Sequence, residues 1–276
     1  MTKVALTTGA NSGIGLATAI ELARQGWHSV GSARSAAKAE QIAALAAAAG
    51  VEVGTVLFDV TDAAGCADAV NEVVRRHGRL DGLVNNAGYG ATAAVEDVGD
   101  DEARAILETM VIAPARLARL ALPVMREHGG GTIVNISSIY GRTTTPLSGW
   151  YQAAKHALEG WSDALRMEVA AEGIRVVLIE PGGFKTDIWD EIETADDEHE
   201  GSRYATAHRR ARQTINLSTP LMGRPEACAR VIARAVNAKS PRARYLVGPD
   251  AYLLAAAAQV TPTSVVDRIT RIVMGL

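Results

Sequence analysis

Thr8-Gly9-Ala10-Asn11-Ser12-Gly13-Ile14-Gly15 stands between an apolar, β-branched run at residues 4–8 and a stretch with helical apolar spacing at 14–25. Strand, glycine turn and helix in that order set a helix N-terminus, with its unpaired N–H groups and positive dipole end, against an anion. Gly9 suits the tight turn, and Gly13 and Gly15 leave room for a pyrophosphate. Asn11, Ser12 and Ile14 lie between them and are expected cofactor contacts. The spacing is G-x-x-x-G-x-G and departs from the G-x-G-x-x-G fingerprint. A purely structural turn is the alternative, and placement between strand and helix favours the dinucleotide.

The same alternation continues outward. Strand-like runs recur at 29–33, 53–57, 82–84, 132–136 and 175–179, with helical stretches at 36–49, 63–77, 101–126 and 150–171. Regular βαβα order predicts an α/β fold of three layers, a doubly wound domain whose central parallel sheet has right-handed crossovers and helices on both faces. The pattern breaks after Pro181. Residues 184–219 are polar, acidic from Asp187 to Glu200 and basic from Arg203 to Arg212. They read either as a solvated helix pair or as a lid over a site at about 184–222. A helix at 226–238 and a strand at 244–247 follow, and residues 1–276 read as a single domain.

Composition narrows the function classes. The 276 residues carry 28 Lys+Arg against 31 Asp+Glu, a net charge of −3, which offers no basic field for nucleic acid. Hydrophobic residues make up 48% and charged residues 21%, enough for a full core. Two cysteines, Cys66 and Cys228, make no disulfide framework, so a reducing, cytoplasmic setting is expected. Two charge-free runs, 4–20 and 251–266, are the candidates for membrane segments. A turn signal interrupts the first; the second falls short of the ~20 residues needed to span and contains Gln259 and Pro262. No spanning segment and no metal-ligand set is expected.

The second strand selects the nucleotide. An acid at its end would bond the ribose hydroxyls of NAD, whereas an arginine pairs with the 2′-phosphate of NADP. The chain reads Gly31-Ser32-Ala33-Arg34-Ser35, with no acid between Glu21 and Glu40. NADP(H) is therefore expected in preference to NAD(H), with Arg34 as the discriminating contact.

Tyr151 and Lys155 stand four apart at the start of a predicted helix and share a face. A free tyrosine, with a pKa of about 10, is a poor base at neutral pH; lowering it by two to three units represents about 3–4 kcal/mol. A neighbouring ammonium would favour that lowering, and a hydroxyl from Ser138, at the end of 132–136, could hold a substrate oxygen. Taken together, the glycine motif, Asn85-Asn86-Ala87-Gly88, Ser138, Tyr151 with Lys155, and Pro181-Gly182-Gly183 resemble the short-chain dehydrogenase/reductase family over about residues 3–190.

The resemblance implies a Rossmann fold and residue roles. Tyr151 would protonate a carbonyl or deprotonate an alcohol, Lys155 would bind the nicotinamide ribose and lower the tyrosine pKa, and Ser138 would hydrogen-bond the reacting oxygen. Asp59 and Val60 would border the adenine, Asn86, Ala87 and Gly88 would line the cofactor groove, and Pro181, Gly182 and Thr186 would border the nicotinamide. One position departs: Met110 stands where the family places an asparagine at a helix irregularity, whose main-chain carbonyl holds a relay water. Either the substitution is tolerated or catalysis is weakened, the latter leaving an NADP(H)-sensing binding protein as the alternative function. Tyr89, Ile139, Tyr140, Pro146, Leu147, Trp150, Phe184, Ile188 and Trp189 would surround the site and suit a hydrophobic ketone or secondary alcohol, steroid-like, retinoid-like or polyketide-like. The tail from Arg244 to Leu254 is similar to the steroid-dehydrogenase-like branch. The acidic half of 184–219 disfavours a substrate borne on an acidic carrier protein. By family analogy the chain forms a homodimer or homotetramer; Leu158, Trp161 and Leu165 fit that or packing on the sheet.

Overall fold

In the computed structural model, residues 2–187, 189 and 201–276 are described. Seven strands, β1 Val4–Thr7, β2 His28–Ala33, β3 Gly54–Leu57, β4 Gly82–Asn85, β5 Gly131–Ile136, β6 Ile174–Pro181 and β7 Arg244–Val247, form one sheet in the order β3-β2-β1-β4-β5-β6-β7. Every pairing is parallel.

Period-two alternation sorts the strand side chains. Val4, Leu6, Val30, Leu83, Ile133 and Val176 face one core with α3 (Ala63–His77) and α5 (Ala113–Glu127), while Ala5, Val84, Val134 and Val177 face another with α1 (Gly13–Arg24). There Leu22 of α1 meets Cys228 and Ile232 of α8 (Pro225–Asn237). A smaller cluster seats α2 (Ala36–Ala48) against α1 through Ala19, Ala39 and Ile42. Each fully buried Ile or Leu contributes about 1.5–3 kcal/mol. Leu158, Trp161 and Leu165 belong to α6 (Gly149–Glu168); Leu158 is buried, and the other two are partly buried against the first core.

The expected single helix at 101–126 is instead three pieces: α4 (Asp100–Leu107), a π-helical turn at Glu108–Ile112, and α5. The π-type bond runs from Ala113 N–H to the Glu108 carbonyl, and Pro114, the next residue, has no N–H to continue either register. The second charge-free run also divides, into α9 (Pro249–Val260) and α10 (Thr263–Met274), with Pro262 between them. No helix among the described residues is long and apolar enough to cross a membrane. α7 (Ala205–Ser218) completes the set.

The chain leaves β1 toward β2 and β3, then crosses to β4 on the other side. A sheet wound both ways from β1 opens a crevice beyond the carboxyl ends of β1 and β4, where such folds bind ligands.

Candidate active site

The glycine turn is built by groups from three strands. Thr8 Oγ1 accepts from the Asn86 and Ala87 N–H groups at 2.9 and 3.0 Å, and Asn86 Nδ2 donates to the carbonyls of Thr8 (2.9 Å) and Gly9 (3.2 Å). Ser32 Oγ accepts from Gly9 N at 3.1 Å. Gly9 and Gly13 have φ of 60° and 54°, the left-handed region open to glycine. A Cβ on Gly15 would lie 2.3 Å from the Gly9 carbonyl oxygen and 2.4 Å from Asn86 Nδ2. Thr186 reaches the same turn, with its Cγ2 3.1 Å from where a Gly13 Cβ would be. Gly9, Gly13, Gly15, Asn86, Ala87 and Thr186 are thus brought together, with Asn11, Ser12 and Ile14 in the turn between.

This cradle fits a dinucleotide. Ser12 occupies the N-cap of α1 in extended conformation, yet its side chain caps nothing, so the helix start presents backbone N–H groups. Arg34 is exposed at the end of β2. Backbone N–H donation from Thr61 holds the Asp59 carboxyl below its usual range, with smaller help from the Arg34 charge. The Val60 carbonyl accepts from Arg116 Nη1 at 3.0 Å, and Arg116 in turn pairs with Glu108 at 2.6 Å.

Ser138, Tyr151 and Lys155 also converge. Ser138 ends the stretch after β5 and begins a 3-10 turn at Ile139–Gly141, its Oγ accepting from Tyr140 N at 3.1 Å. Tyr151 and Lys155 lie one turn apart on α6, with Lys155 Nζ 5.5 Å from the Tyr151 ring centroid. Gln152, between them, bonds Thr145 through three contacts of 3.0 to 3.2 Å and fastens the preceding loop to the helix. Burial pushes the Tyr151 phenol up to about 12, against the pull of a Ser138 hydrogen bond. Burial also brings Lys155 down to about 8. The expected lowering of the tyrosine by the lysine is therefore not found. Lys155 Nζ donates to the Ile136 carbonyl at 2.9 Å, and desolvation is the largest influence on the phenol.

Met110 lies in the π turn, so the irregularity implied by the resemblance is present. Its side chain is buried with Ile106 and Ala154, and Tyr89, Trp150 and Tyr151 pack around that cluster. A Cβ on Gly88 would stand 3.9 Å from Met110 Cε. Tyr140 meets Tyr151 edge to face, with centroids 6.4 Å apart. Tyr89, Tyr140, Trp150 and Tyr151 therefore do surround the site.

Three expected lining residues do not. Phe184 packs into the core with Val247 and Ile179, Ile139 packs with Ala251 and Ala255, and Leu147 packs with Ala94 and Ala207. Each is large and apolar and finds a dry groove between elements, which its neighbours in sequence could not foretell. Leu147 also holds φ of 67°, the one left-handed non-glycine among the described residues. Pro146 is half-buried, Trp189 Nε1 donates to the Phe184 carbonyl at 2.6 Å, and Ile188 lies outside the described residues.

The 184–222 excursion has a closed base. Lys185 N donates to the Gly223 carbonyl, and Gly223 N to that of Gly183, both at 2.9 Å. Its described stretch at residues 201–222 packs on the loops around Glu96 and Leu147. Tyr204 Oη donates to Glu96 at 2.6 Å, and Ala207 of α7 is buried against Leu147. Of the basic cluster, Arg210 bonds the Ile272 carbonyl at 2.9 Å at the end of α10. The acidic residues from Asp190 to Glu200 lie outside the described residues.

Sequence reading missed Asp250. Its Oδ2 accepts from Gly183 N at 2.6 Å and fills the space beside Gly182 that a Cβ would need. No spacing rule links two positions 67 residues apart, so only the fold could reveal this tie between α9 and the loop after β6.

Comparisons agree with the geometry. Residues 3–197 match the family model described as short chain dehydrogenase. An uncharacterised oxidoreductase of Bacillus subtilis (strain 168) is 41% identical over 189 residues, covering 68% of this chain and 67% of that protein. The 3-ketodihydrosphingosine reductase of Bacteroides thetaiotaomicron is 33% identical, covering 90% and 88%. A crystal structure of an actinorhodin polyketide ketoreductase variant with NADPH superposes with a TM-score of 0.79 at 30% identity, covering 90% of this chain and 95% of that one.

Proposed function

The chain belongs to the short-chain dehydrogenase family of oxidoreductases, and from that premise we propose that it catalyses NADP(H)-dependent interconversion of a hydrophobic ketone and its secondary alcohol. The convergence of Ser138, Tyr151 and Lys155 beside the carboxyl end of β5 carries the reading. Tyr151, protonated at neutral pH because burial disfavours its anion, is suited to give a proton to a carbonyl oxygen. Ser138 would hold that oxygen by a hydrogen bond, and Lys155 would hold the nicotinamide ribose while keeping positive charge beside the phenol. The cofactor, when bound, would supply or accept the hydride. Gly9, Asn11, Ser12, Gly13, Ile14 and Gly15 would take its pyrophosphate, Asp59 and Val60 the adenine, and Asn86, Ala87 and Gly88 the groove. Pro181, Gly182 and Thr186 would border the nicotinamide.

Arg34 supports NADP(H) over NAD(H), with no competing acid at the end of β2. The apolar wall of Tyr89, Tyr140 and Trp150 supports a hydrophobic substrate. A relative that by name reduces 3-ketodihydrosphingosine and a fold neighbour that by name reduces polyketides point the same way. The closed base at Gly183 and Gly223, next to Pro181 and Gly182, supports residues 184–222 as a lid.

Loss of reduced-nicotinamide absorbance, followed with NADPH and a panel of steroid, retinoid, quinone and small ketones, tests the activity. At least one carbonyl should be reduced, and Tyr151→Phe should lower kcat by about 100-fold or more, the scale of losing general acid catalysis. Retained turnover in that variant refutes the tyrosine role. Tight NADPH binding with no reduction across the panel would move weight to a binding function. Equal affinity for NADH and NADPH in a fluorescence titration would refute the cofactor preference.

A further inference from the structure

An ionic cluster centred on two buried carboxylates, Glu180 and Glu159, lies directly behind the Ser138 turn, and the reaction described above does not use it. Glu180, fully buried on β6, accepts from Arg142 Nε at 2.9 Å, with Arg244 Nε 3.3 Å from the same oxygen. Arg244, at the start of β7, also donates to Glu159 at 2.9 Å and to Asp163 at 2.5 Å, and Arg166 reaches Asp163 at 3.1 Å. Three buried oxygens around this cluster, Glu180 Oε2, Glu159 Oε1 and Ser137 Oγ, have no hydrogen-bond partner among the described residues. Ser137 Oγ and Glu159 crowd Gly141 from two sides, 2.7 Å and 3.0 Å from where its Cβ would be.

Each member is attached to a piece of the site. Arg142 follows the 3-10 turn that Ser138 begins, and Glu180 immediately precedes Pro181-Gly182. Glu159 is one helical turn beyond Lys155. A single-chain turn of three residues has little stability of its own, so its position depends on what grips its end. Here the grip is a charge-assisted bond from Arg142 to a carboxylate, about twice as strong as a neutral one.

We propose that Glu180 is a positioning residue for the reaction: its carboxylate, acting through Arg142, fixes the turn that presents Ser138, and gaining a proton weakens that hold. The proposal rests on the oxidoreductase reading. The groups facing Glu180 are Arg142 from the turn, Glu159 and Asp163 from α6, and Arg244 from β7. Burial, then the neighbouring Glu159 charge, push Glu180 up to about 7, so its charge changes in the neutral range.

The test is the pH profile of kcat with NADPH and phenanthrenequinone, measured for the wild type and Glu180→Gln. The wild type should lose rate as pH falls through about 7, on the acid side and thus separate from any change at Lys155. Glu180→Gln should show about tenfold lower kcat at the alkaline end, no acid limb, and a KM for NADPH within about twofold of the wild type. Glu180→Asp should keep the limb. Thermal unfolding gives a readout free of substrate. A carboxyl whose pKa is raised on folding stabilises fully below its unfolded value of 4.5, and that contribution is lost as pH rises through about 7. The melting temperature of Glu180→Gln should therefore fall less over that window. Should Glu180→Gln fail to fold, Arg142→Gln removes the same link and should show the same lowered, limb-free profile. An active wild type whose profile Glu180→Gln or Arg142→Gln reproduces overturns the positioning role alone. A wild type that reduces no carbonyl overturns the activity and the role together.

Discussion

At Tyr151 and Lys155, two residues four apart experience burial with opposite consequences. The phenol is held protonated to about 12, while the ammonium gives up its proton near 8. The first change of charge met on raising the pH is therefore at the lysine. Carbonyl reduction should fall as pH rises through about 8, with Tyr151 still protonated, and the check is kcat/KM for NADPH oxidation across that range. A rate flat through that region would show that the charge on Lys155 does not matter. That the two share one helix face was legible from the sequence because helical spacing is local. Their electrostatics were not, because the burial that lowers Lys155 is made by packing around α6 and not by residues near it in sequence. Phe184 and Leu147 were misplaced for a related reason. An apolar side chain beside a polar loop fits a site wall and a core equally until the opposing surface is known.

Among the elements, strands and helices were legible to within three residues wherever the apolar period was unbroken. β7 and α3 fell on their expected bounds, while β6 ran on to Pro181. The π turn at Glu108–Ile112 was not legible from periodicity, since one extra residue in a turn shifts a face by only part of a step. What the sequence did contain was Pro114, which cannot continue the regular ladder. Supplying the missing N–H with Pro114→Ala should let the turn tighten toward α-helix and rotate Met110 relative to Ala154 and Tyr151. The expected outcome is a drop in kcat of about tenfold with a melting temperature equal to or above that of the wild type, since a proline in a helix costs rather than helps. Full activity in that variant would show that the irregular turn is dispensable.

For the molecule as a whole, a site assembled from the ends of β1, β4, β5 and β6 makes ligand binding and folding one equilibrium. At about 100 times its Kd, NADPH should add about 2.7 kcal/mol to stability, raising the melting temperature by roughly 5–10 °C in a chain of this size. NADH at equal concentration should do markedly less, and equal shifts would remove the case for Arg34. The parallel sheet itself was the most legible feature, because buried strands and amphipathic helices in strict alternation leave little topological choice. The clamp on the glycine turn has a consequence for synthesis. Thr8 and Gly9 leave the ribosome early, yet the Asn86 amide that ties their carbonyls is 77 to 78 residues downstream. At about 5–20 residues per second the turn waits several seconds for its partner. Throughout that interval the nascent chain has its nucleotide loop written but not yet locked, so a chain stalled before residue 86 should emerge unable to retain nucleotide.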